Sequence, residues 1–355
     1  MLDKKFLNQI IDNLKKESTE GTLTKNSRVL LVDSMNTFIR SFAMVNHLNP
    51  NGHHTGGIVG FLMSIGFAIK HIKPTRVICV FDGDGSTLNR KNLYPDYKGN
   101  RDGKTMLNGN TFGSYSEMNK LNEQKALENQ MERLIQYLHM LPIDMMSIDG
   151  IEADDSIGLL AKHISQNEDG DVCIMSADRD FLQLVTDKVT VYSPVKKIFY
   201  SPENVKTEFK VSAPNYLYYK VLLGDISDNL PGVSGLGPKK ILKLFPELET
   251  NDRISIEDIY EKAKHLKNEN ILYERVIERK NQLDINLKLM NLHEPVISEN
   301  NREEIFGIFN SETNDFLKGD FLKMYREDSL GNSIPNVELW LDEVFKNLTA
   351  FKNKI

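Results

Sequence analysis

Three carboxylates fall within four positions in the stretch Gly150 to Asp155, which reads GIEADD: Glu152, Asp154 and Asp155. The apolar segment Leu141 to Ile148 precedes it, and Ile157, Leu160, Ala161 and Ile164 follow on one helical stripe. The acids therefore stand where a strand hands over to a helix. Glu152 and Asp155 share a face once the helix has begun. Crowded carboxylates repel, and burying them without compensation is costly. A multivalent cation would resolve that conflict. Alone, the pattern reads better as an acidic helix start, favoured by the macrodipole and by Asp as a cap. The decision rests on whether other acids reach the same place.

Several are positioned to do so. Arg28 to Asp33 (RVLLVD) and Thr75 to Asp82 (TRVICVFD) are near-continuous apolar runs, each ending in Asp. Such runs are expected of strands buried on both faces. Asp171 to Ser176 (DVCIMS) is another, with Asp178 and Asp180 just past its end, and Lys188 to Ser193 is a fifth. Strands alternate with helical patterns, among them Glu123 to His139 with Leu127, Met131, Leu134 and Leu138 on one stripe. That alternation predicts an α/β fold with a mainly parallel central sheet flanked by helices. Functional groups in such sheets gather at the carboxyl ends of the strands. Asp33, Asp82, Glu152, Asp154, Asp155, Asp178 and Asp180 all lie there, which exceeds what helix capping requires.

Two further segments complete the constellation. Asp84 to Leu121 is polar, and its first part carries Arg90, Lys91, Lys98, Arg101 and Lys104, with Tyr94 and Tyr97 between them. Basic residues interleaved with aromatics suit a polyanionic strand whose bases can stack. Pro214 to Gly224 reads as a helix, with Asp225 and Asp228 near its end. Pro231, Gly232, Gly235 and Gly237 then form a tight hairpin, and Pro238 opens a helix bearing Lys239, Lys240 and Lys243. Glycines and a helix start admit a phosphate closely. Oxygen-only ligand sets suit Mg²⁺ or Mn²⁺, and a pair of such ions about 4 Å apart clamps a phosphodiester in hydrolysis. His53 and His54 are adjacent, point apart in regular structure and have no Cys near them, so no transition-metal site is expected there.

Composition sets the frame. The chain has 355 residues, 26% of them charged, with a formal net charge of −6. It holds no apolar run of transmembrane length, and its first residues lack the continuous apolar core of a signal peptide. The two cysteines, Cys79 and Cys173, lie in strand-like runs, so a disulfide framework is not expected and the compartment is read as cytoplasmic. Residues 1–27 read as an appended helix and linker, 28–200 as the catalytic α/β domain, and 201–355 as a helical domain with a helix-hairpin-helix at about 214–246.

The segments VDSMNTFIR, VFDGDG, YPDYKGNRD, GIEADD, SADRDF and GDISDNLPGVSGLGPKK resemble, in order, those of the 5′-nuclease superfamily of flap endonucleases and phage 5′-3′ exonucleases. The long helical tail and compact basic segment are most similar to the T-even phage ribonuclease H type, which suggests a phage-encoded protein acting in a host cytoplasm. The resemblance implies a first metal cluster at Asp33, Asp82, Glu152 and Asp154, with Asp155 beside it, and a second at Asp178, Asp180, Asp225 and Asp228. It implies that Lys98 and Arg101 contact the scissile phosphate and that Tyr97 is the aromatic of the same gateway. The hairpin from Gly232 to Lys240 is implied to grip duplex backbone and to hold K⁺. Implied partners are duplex DNA with a 5′ flap or nick, RNA–DNA hybrid, and a single-stranded-DNA-binding or replisome protein. Two rivals stand beside this reading. One is a non-catalytic binder of branched DNA, which would have lost acids. The other is a phosphatase of the haloacid-dehalogenase type, since Asp33 to Thr37 has the D-x-x-x-T spacing; Met35 stands where that chemistry needs a second Asp.

Overall fold

The computed structural model describes residues 23–101, 120–168, 170–352 and 354, with side chains not described at 101 and 120–122. The helix expected near the N-terminus and the polar stretch 102–119 lie outside these residues. Six strands form one sheet in the order β3-β2-β1-β4-β5-β6. They are β1 (Arg28–Asp33), β2 (Arg76–Asp82), β3 (Asp144–Ile148), β4 (Asp171–Met175), β5 (Val189–Ser193) and β6 (Ile198–Tyr200). The first five run parallel and β6 is antiparallel to β5. No apolar run signalled β6; its three residues include two exposed ones and close the edge by a hairpin from β5.

Alternate residues of the central strands feed two separate cores, which explains their unbroken apolar runs. Val29, Leu31, Ile78, Val80 and Ile148 face one side, where α5 (Ala153–Asn167) packs and the hairpin lobe continues the same core. Leu30, Val32, Val77, Cys79 and Phe81 face the other, under α1 (Ser34–Met44), α2 (Gly56–Ile72) and α4 (Lys120–His139). Cys79 and Cys173 are buried free thiols on this second side. The register brings Asp33 beside Val80 and Asp82 beside Ile148, so the strand exits open on one edge.

Beyond the sheet, α6 (Pro202–Phe209) leads to α7 (Tyr216–Leu223), the short antiparallel pair β7 (Gly224–Asp225) and β8 (Leu230–Pro231), and α8 (Pro238–Leu244). The lobe closes with α9 (Ile256–Leu266), α10 (Ile271–Glu278), α11 (Lys280–Met290) and α12 (Glu299–Phe309). The tail then crosses to the far side of the sheet. Phe321, Met324 and Tyr325 of α13 (Lys318–Glu327) and Leu341, Val344 and Phe345 of α14 (Val337–Phe345) complete the second core. Half-buried Trp340 lies against Gly66 of α2. Thus the span 201–355, expected as one helical domain, divides between the two faces.

A buried ion pair pins the crossing. Arg76 donates to Asp144 at 2.5 Å, to the carbonyl of Phe309 at 2.6 Å and to Asn26 at 3.0 Å. Removing one charge of such a pair strands the other. Asp144→Asn keeps an acceptor but not the charge, and is expected to lower unfolding free energy by about 2 kcal/mol in a urea titration.

Candidate active site

Glu152 occupies the N-cap position of α5, yet its side chain caps nothing. The N–H of Ala153 is instead taken by Asp82 at 2.8 Å, so β2 and the start of α5 are tied together through a carboxylate. Glu152 turns inward, 1% exposed, and accepts from Lys98 Nζ at 3.0 Å and from Arg90. Arg90, on α3 (Leu88–Leu93), also meets Asp155 at 2.7 Å and Asp154 at 3.5 Å. The acidic turn is therefore a charge cluster neutralised by two internal cations rather than a capped helix end.

The remaining acids join it through an almost unbroken chain of hydrogen bonds. Asp33 takes the Ser176 hydroxyl at 2.6 Å and, as a true N-cap of α1, the N–H of Asn36 at 3.3 Å. Ser176 Oγ accepts from the N–H of Asp178, and Asp178 accepts from the N–H of Asp180, both at 2.9 Å. Lys220 bridges Asp180 at 2.8 Å and Asp225 at 2.5 Å. Asp225 accepts the N–H of Asp228 at 3.2 Å. The Tyr97 hydroxyl stands 3.2 Å from both Asp228 and Glu152, and Arg90 donates to it at 2.9 Å. Carboxylates from four strand exits and from the loop after α7 are thus joined in one network of hydrogen bonds and ion pairs. Asp225 and Asp228 lie just beyond α7, in β7 and the turn it enters, not within the helix end.

Electrostatics agree with this convergence. The charge of Asp154 is felt at Asp33, Asp82, Glu152, Asp155 and Asp178. Burial, reinforced by that charge, pushes Asp33 up to about 8. Burial also raises Glu152 to about 7 and Asp155 to about 6 against the pull of Arg90. Burial and neighbouring Asp178 raise Asp180 to about 7. Burial works against the charged form of Asp154 too, but Arg90 and Lys98 overcome it and hold that carboxyl below the usual range. Asp225 is likewise held low, by Lys220 against burial.

Among the described residues, no three Asp, Glu, His or Cys side chains already converge as metal ligands. The donor set nonetheless suits a hard cation. It is made of oxygens alone, and burial, reinforced by neighbouring acids, holds Asp33, Glu152, Asp155 and Asp180 above their ordinary range, a cost that a divalent ion relieves. His54 plays no part: it is buried beside Gln130 and Phe42, with Nε2 3.1 Å from the carbonyl of Val45.

Two sequence expectations are corrected. Tyr97 is 1% exposed and cannot stack on a base from this position; its hydroxyl links the two carboxylate groups. Arg90, whose side chain is 12% exposed, is committed to ion pairs instead of an open nucleic-acid contact. Lys98 sits in the left-handed region (φ +56°), where its N–H reaches the carbonyl of Asp228 at 3.0 Å and its Nζ points at Glu152. Asn100 and Asn229 add cross-links to Ile226 O and Asp96 O at 2.6 and 2.9 Å. Residues 96–100 are thereby zipped to the turn 226–229. Arg101 closes a one-turn 3₁₀ helix, and its side chain is outside the described residues. Lys91, Lys239 and Lys240 are exposed, and Lys240 reaches back to Gly235 O at 2.9 Å. Gly235 has φ +80°, and Gly232 is packed so that a Cβ would lie 2.2 Å from Leu223 O. A Cβ on Gly237 would meet open space, leaving room for a partner. Sequence reasoning missed Ser176 and Lys220. For Lys220, the signal was a lysine five positions before Asp225 on an otherwise apolar helix.

Comparison with known proteins agrees with this architecture. Residues 28–210 match the family described as 5′-3′ exonuclease, N-terminal resolvase-like domain, and 211–307 match 5′-3′ exonuclease, C-terminal SAM fold. The 5′-3′ exonuclease of Bacillus subtilis is 36% identical over 238 residues, covering 64% of this chain and 73% of that protein. DNA polymerase I of the same organism is 31% identical over 300 residues, 81% of this chain but 31% of the polymerase, so the chain spans about a third of that relative. Among solved structures, bacteriophage T5 flap endonuclease in a complex with DNA and metal ions superposes with a TM-score of 0.59 at 22% identity, over 84% of this chain and 99% of that one. With both family domains matched in order and a close-set acidic edge at the strand exits, the chain belongs to the 5′-3′ exonuclease family of nucleases.

Proposed function

We propose that this nuclease hydrolyses phosphodiester bonds near 5′ ends of RNA or DNA on duplex, as a Mg²⁺-dependent 5′-3′ exonuclease and flap endonuclease of the kind that clears RNA primers in replication. The observation that carries this reading is the linked set of nine carboxylates lying beside a glycine hairpin with exposed lysines. Asp33, Asp82, Glu152, Asp154 and Asp155 would hold one metal group, and Asp178, Asp180, Asp225 and Asp228 another. Bound Mg²⁺ or Mn²⁺ supplies a water of lowered pKa and offsets charge developing on the phosphate.

The chain's own residues do the rest. Lys98, fixed through its backbone to Asp228, holds its ammonium group on Glu152 of the first cluster, where a phosphate oxygen brought to the metals would gain a charge-assisted hydrogen bond. Arg90 and Lys220 keep the acids ionised enough to bind cations while limiting their repulsion of a polyanion. Lys239 and Lys240, with the open space over Gly237, would take the duplex backbone.

The test is digestion of 5′-labelled flap, nicked and RNA–DNA hybrid duplexes with Mg²⁺ and with EDTA. The expected products are 5′-phosphorylated oligonucleotides with Mg²⁺ and none with EDTA. Free phosphate from a monoester would support the phosphatase instead. Tight binding of branched duplex without any cut product would support the non-catalytic binder.

A further inference from the structure

Resting on that nuclease reading, we infer that Gln183 and Asn286 are positioning residues that make α11 a ruler between the duplex-gripping hairpin and the second acidic group. Asn286 is fully buried in the middle of α11. Its amide nitrogen donates to Val221 O in the last turn of α7 at 3.3 Å and to Pro231 O in β8 at 3.0 Å. Its oxygen accepts from Gln282 at 3.0 Å. Val221 adjoins Lys220, and Pro231 leads into the hairpin. One side chain therefore ties both flanks of the hairpin to α11.

Gln183 does the same at the end of that helix. It is 3% exposed and donates to Asp180 O and to Met290 O, each at 2.9 Å, while its oxygen takes the N–H of Leu292 at 3.0 Å. The backbone of an acidic residue is thus tied to the final turn of α11. Asn286 and Met290 are four residues apart, about 6 Å along a helix axis. Leu283, Leu289 and Met290 bury the helix in the first core and hold it stiff. Every polar atom of both amides has a partner, so no alternative arrangement keeps the same bonds.

The consequence is a fixed offset between where duplex is held and where it is cut. Successive nucleotides of a strand are spaced by about 3.4 Å. A slip of that size at the hairpin moves a neighbouring phosphodiester to the acids. Loosening the ruler should therefore blur the cleavage position, whereas a side chain that only stabilises the fold would lower the amount of active enzyme and leave the position unchanged.

The experiment maps products of a 5′-flapped duplex at single-nucleotide resolution for the wild type, Asn286→Ala and Gln183→Ala. The wild type is expected to favour one bond. In each variant the share cut there should fall at least twofold, with gains one nucleotide to either side. Unchanged positions in folded variants would overturn the proposal. Should neither variant fold, amide exchange of the wild type decides. The N–H groups of Leu292 and of Val233, which bonds Leu222 O at 3.0 Å, should open as one unit, and independent opening rejects the ruler. A wild type that cuts nothing would sink the nuclease reading, and the exchange measurement would still judge the ruler.

Discussion

Asp154→Asn is expected to slow cleavage of a 5′-flapped duplex by at least about 10³-fold, equivalent to about 4 kcal/mol of lost transition-state stabilisation. Asp154 is the charge felt at Asp33, Asp82, Glu152, Asp155 and Asp178, and it stays ionised because Arg90 and Lys98 hold it low against burial. The asparagine has nearly the same shape, so packing at the start of α5 survives. Arg90 and Lys98 keep Glu152 and Asp155 as partners. What disappears is one negative charge at the centre of the cluster, which weakens cation capture where the reaction needs it. The hairpin is untouched, and duplex affinity should change by less than about threefold, since phosphate contacts set it. Single-turnover cleavage at saturating Mg²⁺, paired with fluorescence anisotropy on the same duplex, measures both quantities. A variant within tenfold of the wild-type rate would remove Asp154 from the chemistry.

The second large effect is on stability. Asp33, Glu152, Asp180 and Asp155 are raised to about 8, 7, 7 and 6, from ordinary values near 4. Between pH 5 and 8 the folded chain keeps protons there that the unfolded chain has released. Stability must then fall as pH rises through this window. Asp154 and Asp225 have lowered values, and their opposite contribution is fully present above about pH 4 and lost only below it, outside this window. Each proton of difference is about 1.4 kcal/mol per pH unit, so the metal-free protein should lose several kcal/mol from pH 5 to 8. A fall in Tm of about 5–10 °C follows. Millimolar Mg²⁺ should restore most of it at pH 8 and little at pH 5, because ligands must be deprotonated to bind. Calorimetric scans with Mg²⁺ and with EDTA would show this. A metal-free Tm that is flat or climbs over the same range would mean the acids are not buried together.

The sheet and its acidic edge were legible because both follow from short-range facts. A strand covered on both faces must be apolar throughout, and RVLLVD, TRVICVFD and DVCIMS are. Acids at the exits of parallel strands are then brought together by topology alone. What a charge does once there was not legible. Arg90 and Lys98 stand eight positions apart in one basic stretch, yet both fold against the acidic turn, Arg90 pairing with Glu152 and Asp155 and Lys98 with Glu152. Tyr97, between charged neighbours, reads as exposed, but a hydroxyl that satisfies two carboxylates makes its burial tolerable. The tail was illegible for another reason. Amphipathic helices announce that they need a partner and not which one. Only the folded chain shows α13 and α14 completing the far core while α9 to α12 complete the near one.

That crossing has a practical meaning for anyone paring the enzyme down. The family match ends at residue 307, which invites a cut there. Such a cut would strip Phe321, Tyr325, Leu341 and Phe345 from beneath the sheet and free Arg133 and Tyr137 from Asp328. The shortened protein would carry its whole complement of acids on a scaffold with one side undressed, inviting self-association. The last forty-odd residues are in effect a built-in lining, and the smallest useful nuclease must include them.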